Sequence, residues 1–183
     1  MTPEEAARRP FFTVGHSDRA SEAFLELLTT AGVESLVDVR KLPGSRSNPQ
    51  FDEEVLAPSL ARAGIRYRHD PALGGLRGRS KTVPDEVNGL WRNRSFHNYA
   101  DYAMGEEFAD ALARLRAEGA ETATVVMCSE AVWWRCHRRI IADHLLAFGE
   151  DVRHLMEGRI DPATLTPGAL FHADGNVTYP PAD

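Results

Sequence analysis

Short β-prone apolar runs alternate with amphipathic helical stretches along most of this chain. Phe11 to Val14 is apolar and β-prone, and Gly15-His16-Ser17 breaks it, which predicts a strand and a turn. From Ser21, the residues Phe24, Leu27, Leu28 and Ala31 share one helical face, closed by Gly32. Ser35 to Val39 reads as a second strand that runs into Asp38-Val39-Arg40. After a Pro/Gly/Ser loop from Leu42 to Pro49, a helix is predicted from Asp52 to Ala63, kinked or late-starting because Pro58 falls inside it. Ile65 to His69 is a third strand, ended by Leu73-Gly74-Gly75. Arg77 to Asn93 shows no period and reads as a long loop. Helical spacing resumes from Tyr99 to Glu118, with a break at Gly105. Thr122 to Met127 is the most β-like run and a candidate central strand. Cys136 to Phe148 reads as a helix and Val152 to Met156 as a fifth strand.

Strands joined by helix-length crossovers predict parallel pairing. The expected fold is therefore α/β: a single domain over residues 11–156, with a mostly parallel five-stranded sheet and helices on both faces, three-layer and Rossmann-like. Residues 1–10 are expected to form a disordered arm. The proline-containing tail, residues 157–183, is expected to pack on the domain with a small hairpin near Asp174-Gly175-Asn176.

Composition narrows the class. With 183 residues, 43% hydrophobic and 26% charged, the chain can bury a core without a disulfide or metal. The net charge of -6 argues against a coat protein for nucleic acid. Yet Arg66, Arg68, Arg77, Arg79, Lys81, Arg92 and Arg94 face only three acids over the same stretch, a local basic loop suited to a defined anion. No apolar run reaches the length of a membrane span, and the first residues lack a signal-peptide core. The expected location is cytoplasmic. A structural disulfide between the two cysteines is not expected in a reducing compartment.

In a parallel sheet, ligands bind outside the carboxyl ends of the strands. Four predicted ends are polar: His16-Ser17, Asp38 with Arg40, His69, and Cys128-Ser129-Glu130. The densest cluster is Cys128-Ser-Glu130-Ala-Val-Trp-Trp-Arg-Cys136-His137-Arg138, a strand end leading into a helix. A helix start attracts anions and favours thiolate. Cys128, Glu130, His137, Asp38 and His16 are accordingly the candidate catalytic groups. Cys136, between Arg135 and His137, fits either a nucleophile or a metal ligand. Glu130 is expected to be a buried carboxylate beneath the sheet rim, free to act as a base or to orient His137. No zinc-type C-x-x-C pair is present, so a metal site would have to combine Cys128, Cys136, His137 and the distant His16. Six residues separate Cys128 from Arg135, one more than in the cysteine phosphatase loop, and there is no glycine-rich phosphate loop. No cofactor is indicated.

Thr13-Val-Gly-His-Ser17, Val37-Asp-Val-Arg40, Ser45-Arg-Ser-Asn-Pro-Gln-Phe51, Leu73-Gly-Gly75, Phe96 to Tyr102, Cys128-Ser-Glu130 and Trp134-Arg-Cys-His-Arg138 together resemble the family called domain of unknown function 488. The resemblance runs from about residue 11 to 156 and carries no assigned activity. It adds Ser17, Arg46, Asn48, Pro49, Gly74 and Gly75 to the motif positions. The expected substrate-binding set is Ser17, Arg40, Arg46, Asn48, Gly74, Gly75, Trp134, Arg135 and Arg138, with guanidinium groups pairing to an anion.

Three readings compete. One is an enzyme acting on a phosphorylated or other anionic substrate, such as a nucleotide or a nucleic-acid end. The second is a non-catalytic nucleotide or nucleic-acid binding module in which Trp91, Trp133 and Trp134 stack on bases. The third is a Cys/His metal protein. Oligomeric state is not legible.

Overall fold

The computed structural model describes residues 8–183, so most of the expected N-terminal arm lies outside the described residues. The parallel strands are β1 (Phe11–Gly15), β2 (Ser35–Asp38), β3 (Arg66–His69), β4 (Thr124–Cys128) and β5 (Val152–Met156). They lie in the order β3-β2-β4-β1-β5. Every predicted strand is present. The sheet has six strands where the pattern predicts five: β6 (Arg159–Pro162) folds back from β5 through Gly158 at φ 72° and pairs antiparallel at the edge. Its terminal Pro162 is tolerated because an edge strand can lack one donor.

The helices are α1 (Ser21–Thr30), α2 (Glu53–Arg62), α3 (Arg94–Tyr102), α4 (Glu106–Glu121) and α5 (Arg138–Ala147). Alternation along the strands sorts the core into two layers. Phe12, Val14, Leu36, Val125 and Met127 meet Phe24 and Leu28 of α1 and Leu56 and Leu60 of α2. Phe11, Val37, Val126 and Cys128 face the other way, onto Tyr99, Phe108, Leu112, Leu115, Ile140, Ile141 and Leu145. The result is the expected three-layer α/β domain, with α1 and α2 on one face and α3 to α5 on the other.

Two helix boundaries differ from the pattern. The predicted Tyr99–Glu118 helix is two helices meeting at Gly105, and α3 begins before Tyr99. Asn93 causes the early start, since its side-chain oxygen accepts the N–H groups of Ser95 (2.9 Å) and Phe96 (3.3 Å). α5 begins at Arg138, so Cys136 and His137 precede the helix. α2 runs on through Pro58.

The C-terminal stretch carries a two-stranded hairpin, β7 (Leu170–Phe171) and β8 (Val177–Thr178), turned at Gly175 with φ 87°. Just beyond it, Tyr179 is fully buried; its hydroxyl donates to Asp143 (2.8 Å), and its N–H donates to the buried Asn88 (3.0 Å). Asn88 in turn donates to Asp101 of α3 (2.7 Å), so one amide ties the long loop, α3 and the tail together. Tyr179→Ala is expected to cost about 3–5 kcal/mol of unfolding free energy, read from denaturant midpoints; a change under about 1 kcal/mol would show the tail to be a loosely attached appendage.

Candidate functional site

Strand register brings Gly15, Asp38, His69 and Cys128 to one edge, because Gly15 pairs with Cys128 and Asp38 pairs with both Met127 and His69. β4 is followed by α5 on one face, while its neighbours β1 and β2 are followed by α1 and α2 on the other. Loops leaving adjacent strands in opposite directions open a crevice between them. The loop after β1 is stitched to the loop after β4 by the N–H groups of His16 and Ser17, which donate to the carbonyls of Cys128 (2.9 Å) and Ser129 (3.0 Å). Ser17 sits at φ 50°, an uncommon backbone for a non-glycine residue. A side chain at Gly15 would run into the backbone of Glu130 and Ala131, so this crossing requires glycine.

A cleft of about 430 Å³ opens at this edge. Its floor is Cys128, Cys136, His137 and Tyr99; its walls include Arg40, Lys41, Arg135, Glu130 and Phe96. Leu42 and Leu76, both about three-quarters exposed, also line it. Of the predicted site residues, Arg40, Gly75, Cys128, Glu130, Arg135, Cys136 and His137 line this space. Asp38, His16, Ser17, Arg46, Asn48, Gly74, Trp134 and Arg138 do not. Lys41, Ser45, Ser95, Phe96, Tyr99 and Ser129 also line it; Ser45, Phe96, Tyr99 and Ser129 fall within motifs noted in the sequence, but none of the six is among the predicted site residues. The Asn93 cap just before Ser95 was a readable sign that α3 begins at the cleft.

Asp38 and His16 stand behind Arg40. The buried Asp38 carboxylate accepts the Arg40 Nη2 (2.7 Å) and Nε (2.9 Å) groups and the Tyr67 hydroxyl (2.6 Å). Arg40 Nη2 also donates to the Phe51 carbonyl (2.8 Å). Burial would loosen the Arg40 proton, but the Asp38 carboxylate outweighs it and keeps the guanidinium charged. Burial also pushes the Tyr67 hydroxyl upward, with the Asp38 hydrogen bond adding to it. His16 stacks on Phe51 at 4.3 Å and uses Nδ1–H on the Ser17 carbonyl (2.8 Å). Burial is the main cause that lowers its pKa, and the Arg40 charge adds to the effect.

Cys136 has the most polar surroundings on the floor. Cys128 Sγ is 2.7 Å from its Sγ, the Arg138 N–H donates to it at 3.4 Å, and His137 Nδ1 lies at 3.5 Å. His137 Nε2–H donates to the Val39 carbonyl (3.0 Å), which leaves Nδ1 as the acceptor facing the sulfur. The ring is held between Tyr99 (4.9 Å) and Gly75, where an added Cβ would come within 3.1 Å of Nδ1. Burial pushes both thiols up. At Cys136 the Cys128 hydrogen bond, His137 and the Arg138 charge outweigh burial and hold the group well below the ordinary thiol range. At Cys128 burial prevails, and its neighbour keeps it protonated.

Two sequence expectations change. The Glu130 side chain is exposed on the cleft wall rather than buried; only its carbonyl is engaged, by Arg138 Nη2 at 2.6 Å. Of the three tryptophans expected to stack on bases, Trp133 already stacks on His154 (4.5 Å) and Trp91 on Phe96 (4.9 Å); Trp134 alone is exposed. Arg138 has no exposed surface, and its Nη1 donates to Thr13 Oγ1 (3.2 Å). Among the described residues, no group of three or more His, Cys, Asp or Glu side chains converges as metal ligands.

Thr13 passes the network on to His154 Nδ1 at 2.6 Å. Burial lowers His154 to a pKa of about 4, and the same cause lowers His144 in α5 to about 4. Each histidine is protonated below pH 6.5 when unfolded but only near 4 when folded. Their contribution to stability is therefore complete above pH 6.5 and lost as pH falls towards 4. Denaturant midpoints should fall across that window, and His154→Gln or His144→Gln should each flatten part of the fall. An unchanged slope in both variants would refute the assignment.

No helix among the described residues is long and apolar enough to cross a membrane. Neither the curated proteins nor the solved structures offer a match to the chain. The model of the family described as domain of unknown function DUF488 matches residues 20–145. That match begins after the His16-Ser17 turn and takes in every residue that lines the cleft, and by it the chain belongs to the DUF488 family.

Proposed function

We propose that the chain is an enzyme acting on a phosphorylated or otherwise anionic substrate, such as a nucleotide or a nucleic-acid end, with Cys136 as the nucleophile. The observation that carries this reading is the placement of Cys136: on the floor of an open cleft, before the first turn of α5, with a histidine nitrogen and a backbone N–H directed at its sulfur. The His137 ring has the acceptor nitrogen towards the thiol and the donor nitrogen on a fixed carbonyl, the arrangement a general base needs.

Arg135 and Lys41 supply the anion contacts. Neither forms an ion pair with an acidic side chain of the described residues, and both line the cleft. Arg40 is fixed by Asp38 and contributes a preset positive wall that costs no rearrangement when the anion arrives. Glu130 is the one acidic side chain among the cleft-lining residues and is the group placed to exchange a proton with a leaving group or an attacking water.

Nucleotides and short oligonucleotides screened by thermal shift should give at least one stabilising ligand, and Arg135→Ala should weaken that ligand about tenfold or more, as expected for one charged hydrogen bond. With the ligand class fixed, Cys136→Ser should abolish turnover while keeping ligand affinity; its melting temperature should fall only modestly, because the Glu130 carbonyl and the Thr13 hydroxyl still hold the Arg138 guanidinium. His137→Ala and Glu130→Gln should each lower turnover about 10²–10⁴-fold without unfolding the protein. Full ligand binding without turnover in the parent would favour the binding module. Early melting of these variants, with function lost only in step with the folded fraction, would reduce the cluster to a structural one.

A further inference from the structure

Cys128 has no role in the chemistry proposed above beyond one hydrogen bond, yet it lies on the cleft floor with its sulfur 2.7 Å from that of Cys136. The two residues come from different parts of the loop: Cys128 ends the central strand β4, and Cys136 precedes α5. The loop between them is pinned by Arg138 on the Glu130 carbonyl and by Trp133 on His154, so the approach is built into the fold. Both are free thiols, and both, though nearly buried, border the open cleft, from which a small oxidant would approach. A disulfide needs about 2.05 Å between sulfurs, a small further approach for side chains already in contact.

We propose that Cys136 is a site of reversible oxidation by hydrogen peroxide, with Cys128 as its resolving cysteine, so that an internal Cys128–Cys136 disulfide caps the nucleophile. This rests on the reading of Cys136 as the reactive thiolate of the cleft. In the first step the Cys136 sulfur attacks one peroxide oxygen and the O–O bond breaks. Cys136 becomes a sulfenic acid, and the departing hydroxide takes a proton to leave as water. In the second step Cys128 gives up its proton and its sulfur attacks Cys136 Sγ. The S–O bond breaks, and the oxygen leaves as a second water. Two thiols lose two electrons and two protons in all, and one peroxide is reduced to two waters. A dithiol reductant reverses the change by thiol–disulfide exchange. Resolution by Cys128 also keeps Cys136 from passing on to the irreversible sulfinic state.

The test uses the full chain, reduced and then treated with hydrogen peroxide, with no substrate present. Expected are a loss of two hydrogen atoms from the intact mass, disappearance of both free thiols without covalent dimers, a Cys128–Cys136 cross-linked peptide, and full reversal by dithiothreitol. Because an ordinary thiol is only a few per cent ionised at neutral pH, Cys136→Ser should consume peroxide at least about tenfold more slowly than the parent. Cys128→Ser should accumulate a dimedone-reactive sulfenic acid at Cys136 in place of the disulfide. Should that variant fail to fold, peptide mapping of the parent decides alone. Two thiols still free after peroxide treatment, disulfides only between chains, or sulfenic acid on Cys128 instead would each overturn the proposal. These readouts need no turnover, so a disulfide that forms in a protein without enzymatic activity would sink the functional reading and leave this one standing.

Discussion

The site depends on a guanidinium with no exposed surface. Arg138 opens α5 beneath the loop that follows β4, and its two Nη groups hold the Glu130 carbonyl and the Thr13 hydroxyl. Burying an unpaired charge is costly, and the usual solution is a partner charge close by. Burial disfavours the Arg138 cation, and the adjacent cysteines more than offset it. The Arg138 charge in turn is among the causes that hold Cys136 low. Each charge therefore makes the other tolerable, and the loop between Cys128 and Arg138 is shaped around the pair. Arg138 Nε has no hydrogen-bond partner, so the guanidinium is held by its two ends and by charge.

Around this centre, three other segments approach closely at positions that exclude larger side chains. Gly15 lets the loop backbone cross β1, and Gly75 lets the His137 ring lie against the segment after β3. Gly74 has the same relation to Lys41, with an added Cβ 3.0 Å from its Cα. Lys41 then reaches back, its Nζ donating to the Leu76 carbonyl (3.1 Å), and Leu76 is held at φ 57°. A non-glycine residue in that region stores strain that the surrounding contacts must impose. The cleft is thus assembled from loops after β1, β2, β3 and β4 that brace one another, with Asp38 and His69 fixing the Arg40 segment from behind.

Much of this was legible from the chain. Short apolar, β-prone runs separated by helix-length stretches placed all five parallel strands. Polar residues at strand ends pointed to one rim, since parallel pairing brings those ends together whatever the strand order. What the pattern could not distinguish was a side chain lining a cleft from one supporting it. Asp38 and His16 look like catalytic groups in sequence, and they stand one layer behind Arg40. Arg138 and Arg135 are three residues apart and look alike, yet one is sealed under the loop and the other faces the cleft. Glu130 was misjudged because a turn residue can bury its carbonyl while its side chain stays in water. The sixth strand was missed because Arg159–Pro162 is short, largely exposed and ends in proline, and so lacks the alternation that marks a half-buried strand.

The two cysteines show how position decides chemistry between otherwise equal groups. They are one residue type, both buried, and their sulfurs touch. Two anions that close in a dry setting repel strongly, so only one can be ionised and the other must keep its proton. Cys128 sits at the end of a central strand, where burial dominates and the contact with Cys136 at 2.7 Å adds to it, so the protonated thiol is favoured. Cys136 sits where a helix begins, with an N–H group, an imidazole and a buried cation directed at it. The asymmetry follows from the chain path: one cysteine ends a strand, and the other lies two residues before a helix, against His137 and Arg138. Between the two sulfurs, the proton is favoured on Cys128 and the negative charge on Cys136.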